Sequence, residues 1–439
     1  MKPFSKKIIS AFLAVLMTAL LVVPSFAAEQ VEYTITNPYE TVDWDTWNTY
    51  KAMLHTHSLY SDGYLDITEV VEEYYRQDYD ILAVTDHGVV NQGWDTVPEM
   101  IDLVSYNQYI KNLKPLDAER YAEITSGADR GGRGMLDVPM GVEMNALVVR
   151  KNHVNGFFCG YGQGVLGKEE DYETVIAGTE AAGGLSFIDH PGDFYNVTAD
   201  ISRCYDPENL RDWANIYMKY ESCVGLEVFN EHDTVSKYDR IIWDNLLMYT
   251  IPRGRNIWCY GNDDAHTYVA MGLNANMMVM PENTVNALRT AMENGTSFAC
   301  SVHGRYENGD DFHGDGNYAH VNRIDIDEDN DIIAVSVTSE SEYTVEWVAD
   351  GKVIATGDSI KLRDYSEEIG SYVRFQIKNA GGLLLSQPFV CDDGNMEACM
   401  IYYPEEKSYD NLVLQFIHEM LLFLRRTIVG EFIYKELYL

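Results

Sequence analysis

Positive charge is scarce in this chain: 32 Lys and Arg stand against 69 Asp and Glu over 439 residues, a formal net charge of −37. That balance repels nucleic acid and anionic membrane surfaces at long range, so no nucleic-acid partner is expected. Cysteine offers equally little. The seven residues at 159, 204, 223, 259, 300, 391 and 399 contain no Cys-x-x-Cys pair and no disulfide framework. A thiolate zinc site is therefore not expected, and an odd number leaves at least one thiol free. Cys159, Cys259 and Cys300 lie in strand-like apolar runs and are expected as packing residues. No Gly-x-Ser-x-Gly elbow offers a serine nucleophile, and no internal repeat is present.

Long apolar runs occur near the two ends. Ile8 to Val23 follows Lys2, Lys6 and Lys7 and precedes Ser25-Phe26-Ala27, which reads as a cleaved secretory signal over residues 1–27. The run is short for a stable span, so the protein is expected outside the cytoplasm: secreted, periplasmic or at the cell surface. Leu412 to Val429 is interrupted by Gln415, His418, Glu419, Arg425 and Arg426. It reads as an amphipathic helix in a tail over 393–439, docking on the protein or on a membrane or other surface.

What the chain does have is a dense donor pattern from Met53 to His87. His55 and His57 sit at i and i+2, on one side of an extended segment. Asp62 follows in a loop, Ile67–Gln77 reads as a helix, and the apolar run Ile81–Val84 delivers Asp86 and His87. Strand, ligand loop, helix, strand, ligand loop is a βαβ unit with chemistry at its strand ends. Later runs repeat the device. Glu143 ends VPMGVEM, His153 opens HVNGFF, His190 ends LSFIDH, and Asp264 and His266 close IWCYGNDDAH. Six of the 11 histidines fall in this set. So many imidazoles and carboxylates at the ends of buried strands are costly to desolvate unless paired or metal-bound.

HTHSLYSDG and AVTDHG resemble the first two motifs of the PHP (polymerase and histidinol phosphatase) superfamily of metal-dependent phosphoesterases, over roughly Leu54 to Cys300. The resemblance implies a metal set of His55, His57, Asp62, His87, Glu143, His153, His190, Asp264 and His266. One ion would take His55, His57, Glu143 and Asp264; a second would share Glu143 and use His153 and His190; a third would use Asp62, His87 and His266. Asp263 remains an alternative to Asp264. Mixed imidazole and carboxylate donors suit two or three ions of zinc, manganese or iron. Such ions would arm a metal-bound hydroxide for phosphoester hydrolysis, with Glu143 in the machinery and His153, His190 or His266 protonating the leaving group where not engaged as ligands. The substrate is expected to be a small-molecule ester. Secreted PHP-like proteins with an added β-domain resemble the carbaryl-hydrolase branch, so carboxyl or carbamate ester cleavage is the runner-up. A metal-stabilised binding protein is the reading without catalysis.

Apolar strand candidates alternating with helix candidates (172–182, 207–219, 236–248, 284–294) lead to an α/β class with a parallel sheet, a distorted (βα)7-type barrel over 28–301. A linker over 302–320 and a small immunoglobulin-like β-sandwich over 321–392 follow. Asp86 and Asp189 are candidate hydrogen-bond acceptors behind the ligands, or turn residues. Glu227, Asn230, His232, His303 and Arg305 are weaker candidates for lining a pocket. Arg130 and Arg133, in the Gly-rich stretch 128–136, are candidate basic groups of a lid or plain residues of a surface loop.

Overall fold

The computed structural model describes residues 32–100, 113–145, 153–165 and 172–396. The expected signal segment, the apolar tail and Cys399 lie outside the described residues. Among the described residues no helix is long and apolar enough to cross a membrane.

The helix Ile67–Arg76 shows how local sequence sets an element. Asp66 accepts the Glu69 backbone N–H at 2.9 Å and the Glu69 carboxylate accepts the Asp66 N–H at 2.9 Å, a reciprocal cap worth about 1 kcal/mol. Ile67, Val70, Val71, Tyr74 and Tyr75 recur at helical spacing and are buried. The helix thereby lies along the sheet and leaves the loop before it free to carry Asp62.

Parallel pairing, expected throughout, holds in two runs. Asn48–Met53 pairs with Ile81–Leu82, which pairs with Leu136–Asp137. Leu185–Ile188, Cys223–Asn230 and Trp258–Asn262 form the second run. Between them, His153–Phe157 lies antiparallel to both Val142–Asn145 and Leu185–Ile188. Val142–Asn145 and His153–Phe157 are too close in sequence for a parallel crossover, which agrees with their antiparallel pairing. Asn274–Met280 is antiparallel to Asn48–Met53 and to Ser297–Ser301.

The strands make a mixed α/β fold whose ladders form no closed barrel among the described residues. A five-stranded and an 11-stranded sheet are separate ladders. At the donor-bearing strand ends they meet in two isolated parallel bridges, Thr56 with Ala265 and His87 with Glu143. Backbone bonds reinforce this junction: the Asp264 N–H donates to His55 O and the His57 N–H to Ala265 O, both at 3.0 Å. The core beneath is aromatic, with Phe187 stacked on Tyr260 at 4.7 Å and Phe157 at 5.2 Å from Phe187.

Residues 320–392 contribute three strands to a small sheet (His320–Asp327, Ile332–Thr338, Ser359–Lys361) and five to the large one. The large sheet runs on without a break from Ser297–Ser301 into Gly382–Ser386, Phe298 opposite Ser386. The N-terminal strand Thr34–Thr36 pairs with Phe389–Asp392. Asp350 and Gly351, at φ 47° and 71°, close the hairpin between Thr344–Ala349 and Lys352–Thr356; two successive positive φ values are what a two-residue hairpin of native twist demands. The six described cysteines are buried and free.

Candidate metal centre

The junction between the two sheets brings all nine sequence-derived donors together. Three groups of donor atoms converge: His55, His57, Glu143 and Asp264; Glu143, His153 and His190; and His57, Asp62, His87 and His266. In the first, His55 Nε2 lies 3.2 Å from His57 Nε2 and 3.3 Å from both Glu143 Oε2 and Asp264 Oδ1. His57 Nε2 lies 3.1 Å and 2.9 Å from the same two oxygens. A tetrahedral ion with bonds of ~2.0 Å sets its donors ~3.3 Å apart, so these four atoms are spaced as ligands of one cation.

Glu143 divides its oxygens. Oε2 faces the first group, while Oε1 is 2.5 Å from His153 Nδ1 and 3.8 Å from His190 Nε2. Asp264 spans the same pair, with Oδ2 3.6 Å from His190 Nε2. Asp62 gathers the third group, its oxygens 3.2 Å from His266 Nε2 and 3.5 Å from His87 Nε2. His57 adds to it through Nδ1 at 3.8 Å, a member beyond the sequence-derived trio.

Tautomers suit this reading. His55 Nδ1–H donates to Glu227 Oε1 at 2.8 Å, and His266 Nδ1–H donates to the Asp264 carbonyl at 2.9 Å. Each bond leaves a lone pair on Nε2 directed at the donor group, as metal-binding imidazoles are held. Both Glu143 oxygens, His153 Nδ1, both His190 nitrogens and Asp264 Oδ1 are buried without a hydrogen-bond partner. Each such orphan costs about 1–3 kcal/mol unless something else satisfies it. His190 (φ 25°) and Asp264 (φ 46°) also hold left-handed backbone, a strain of order 1–3 kcal/mol each that persists at functional sites. Gly192 follows closely because a Cβ there would meet Asp239 Oδ1 at 1.9 Å.

The field here is negative. Burial opposes protonation of His55, yet Asp264, Glu227 and Glu143 raise its pKa well above the ordinary imidazole value. Burial likewise opposes ionisation of Glu143, but His87, His153 and His55 hold its carboxyl well below the usual range. Among the described residues no Lys or Arg forms an ion pair with any of the nine. The donor set fits hard-to-borderline divalent cations.

Residues behind the donors fix their aim. Glu227 is 0% exposed and also accepts from Asn262 Nδ2 at 2.8 Å, Asn230 Nδ2 at 2.9 Å and the His190 N–H at 3.2 Å. Its signal in the sequence is one carboxylate inside the apolar run VGLEVF. Asp86 braces the loop that presents Asp62, accepting from the Ser58 N–H and Oγ at 2.8 Å and from Ser61 Oγ at 2.6 Å. Asp189 lies against His55 and Glu227 but accepts no hydrogen bond. Asp263 is turned away from the donors. It accepts the Leu273 and Asn274 N–H groups at 3.0 and 2.7 Å and the Tyr74 hydroxyl at 3.0 Å, so Asp264 is the donor of the pair. Arg130 and Arg133 are tied down at the other end of strand Ile81–Leu82. Arg133 Nε donates to Asp80 Oδ1 at 2.6 Å, and Arg130 Nη1 to the Tyr79 carbonyl at 3.0 Å.

The donor groups make this junction a candidate metal centre. Residues 53–246 match the family model of the PHP domain. Among solved structures it is similar to a two-domain protein of Bacteroides vulgatus containing a predicted PHP-like metal-dependent phosphoesterase. The identity is 15%, over 83% of this chain and 91% of that one, at a TM-score of 0.41. It is also similar to a lesion-specific endonuclease from Pyrococcus furiosus, 14% identical over 56% of each chain, at a TM-score of 0.31. No curated protein matches.

Proposed function

We propose that this protein hydrolyses a phosphoester of a small molecule at a centre of two or three divalent ions, zinc, manganese or iron. The observation that carries the reading is Glu143, buried, its two oxygens shared between two donor groups and Oε2 also 2.9 Å from His87 Nδ1 of the third. When bound, ions in such a centre acidify a water molecule and offset the charge that grows on the ester oxygens. With no cationic side chain paired to the donors, that charge falls to the ions. His55, His57, Glu143 and Asp264 would hold the first, Glu143, His153 and His190 the second, and Asp62, His87 and His266 the third.

Solvent reaches the centre most at Asp62, whose side chain is 41% exposed, with His266 at 18% and His153 at 15%, against 0% for His55, His57 and Glu143. Substrate enters there. His266 is held by its Nδ1–H bond to the Asp264 carbonyl; with Nε2 on an ion it would be no proton donor, and solvent at this opening would protonate the leaving group. The seven-stranded barrel of the expected fold is the reading that the two single bridges at the strand ends support, completing a ring the ladders leave open.

One feature favours the runner-up, a carboxyl or carbamate ester. Tyr64, Tyr268 and Val269, near Asp62 and His266 in the chain, are 66%, 48% and 66% exposed, an apolar rim suited to an uncharged aryl group. The substrate panel that decides is p-nitrophenyl phosphate, bis-p-nitrophenyl phosphate and a naphthyl carbamate, each with and without EDTA. Phosphoester turnover abolished by EDTA and restored by zinc or manganese supports the proposal. Carbamate turnover alone moves the assignment to the second reading, and metal binding without turnover of any of the three leaves a binding protein. The N-terminal residues 1–27 support placement outside the cytoplasm, to be checked by cell fractionation.

A further inference from the structure

The strand Cys223–Asn230 carries Glu227, which holds His55, and ends on Asn230, whose Nδ2 donates to Glu227 Oε2 at 2.9 Å. The turn after Asn230 is built against resistance. Glu231 and Asp233 hold left-handed backbone at φ 45° and 51°, a conformation that persists only where the surroundings impose it. Asp233 is fully buried, and its N–H donates to the Asn230 carbonyl at 2.9 Å. Ser236 Oγ accepts the Asn230 N–H at 3.0 Å and donates to Asp233 Oδ1 at 3.1 Å.

The imposing group is Arg240, 1% exposed on the helix Asp239–Thr250. Its Nη1 and Nη2 donate to Asp233 Oδ1 and Oδ2 at 2.6 and 3.0 Å, a bidentate pair. Nη1 also donates to the carbonyls of Val228 and Ser236 at 2.9 and 3.1 Å, so one guanidinium spans both ends of the turn. Nε and Nη2 reach a second carboxylate, Glu307, at 3.1 and 3.0 Å. Glu307 lies on the short helix Arg305–Asn308, beyond the family match at 53–246, and the Arg305 N–H there donates to Asp233 Oδ2 at 2.6 Å. Desolvation offsets most of the attraction in a buried ion triad, so stability alone gives little reason for this one. Its bonds instead converge on the geometry of a single turn.

We propose that Arg240 is a positioning residue of the metal centre. With Asp233 and Glu307 it clasps the turn so that Asn230 steadies Glu227, and Glu227 holds His55 at the angle the first ion needs. The inference rests on the reading of the nine donors as a metal centre. The test is a double-mutant cycle on the zinc affinity of chelator-stripped, full-length protein, measured by competition with a chelator. Arg240→Lys keeps the charge but loses the fork. It and Asn230→Ala are each expected to weaken zinc binding roughly 10-fold per folded chain. The double variant is expected to lose no more than Asn230→Ala alone, because both changes act through one contact. A merely structural role would lower stability without that non-additivity. Losses that multiply to about 100-fold in the double variant, or wild-type affinity in either single variant, overturn the proposal. Where Arg240→Lys does not fold, Glu307→Gln replaces it in the same cycle under the same criteria, since it releases the outer carboxylate and leaves Arg240 paired with Asp233. Glu143→Ala tests the centre separately. Wild-type zinc affinity in that variant overturns the metal centre itself, whereas a loss there beside an unaltered Arg240→Lys overturns only the clasp.

Discussion

Two buried polar clusters in this protein are built from similar charges and end in opposite states. At Asp244 and Arg374 the carboxylate accepts Arg374 Nε and Nη2 at 2.9 Å each and the Tyr372 hydroxyl at 2.7 Å. Arg374 Nη1 donates to Gln376 Oε1 at 3.3 Å, so the pair is satisfied within the protein. Around Glu143 the donors face one another across 2.5–3.8 Å and carry orphaned oxygens and nitrogens. A closed network holds strands together. An open one is retained only where something from outside completes it.

That contrast can be broken from either side. Replacing Glu143 by Ala removes the donor common to two groups. Turnover should fall by roughly 10³-fold or more, the equivalent of several kcal/mol of charge stabilisation, and the metal content should drop with it; unchanged kcat/KM on the active substrate would refute the centre. Asp244→Ala acts on the closed cluster, leaving a buried guanidinium unpaired. Urea unfolding should show a loss of about 3–5 kcal/mol, whereas metal content per folded chain stays at the wild-type value. A smaller effect is expected at Glu227→Gln, which keeps the shape but weakens the hold on His55. Metal affinity or activity should decline about 10- to 100-fold, measured by metal titration.

The smallest effect concerns a half-buried acid outside both clusters. Asp137 accepts the Trp94 N–H at 2.9 Å, and burial, only partly offset by that bond and by Tyr121, pushes its carboxyl up to about 7. The folded state therefore holds a proton that the unfolded chain releases near the ordinary carboxylate value. The associated stability is full below pH ~4 and is lost as pH rises through 7. Asp137→Asn should flatten that decline, so its stability advantage over the wild type widens between pH 4 and 8 in a thermal-melt series. Parallel curves for the two proteins would contradict the assignment.

Much of the centre was legible because of where donors fall in the sequence. LSFIDH and IWCYGNDDAH are apolar strands that end on their polar residues, and burial of the strand carries those residues to a common end of the sheet, whereas Glu143 lies inside its strand, Val142–Asn145. The helix Pro207–Lys219 likewise lies where its apolar spacing puts it. Strand direction was not legible. A helix links Phe157 to Leu185 and another links Met280 to Ser297, yet both connections join antiparallel strands, since direction depends on where the partner edge lies. Neither was the choice between Asp263 and Asp264. Neighbours in sequence, they part because one is captured by the amides of residues 272–274 while left-handed backbone turns the other to the donors.

The amino-acid order alone set which side chains could bind cations, since imidazoles and carboxylates at strand ends follow from local hydrophobic pattern. Tertiary structure decided how they group. Two sheets meet in single bridges, Glu143 is shared, Glu227 and Asp86 set the angles, and the C-terminal strands extend the same sheet. Those outcomes rest on contacts between residues far apart in sequence, 28 positions for Ser58 with Asp86 and 172 for His55 with Glu227, where distance in space and competition for each hydrogen bond have no counterpart in a linear pattern.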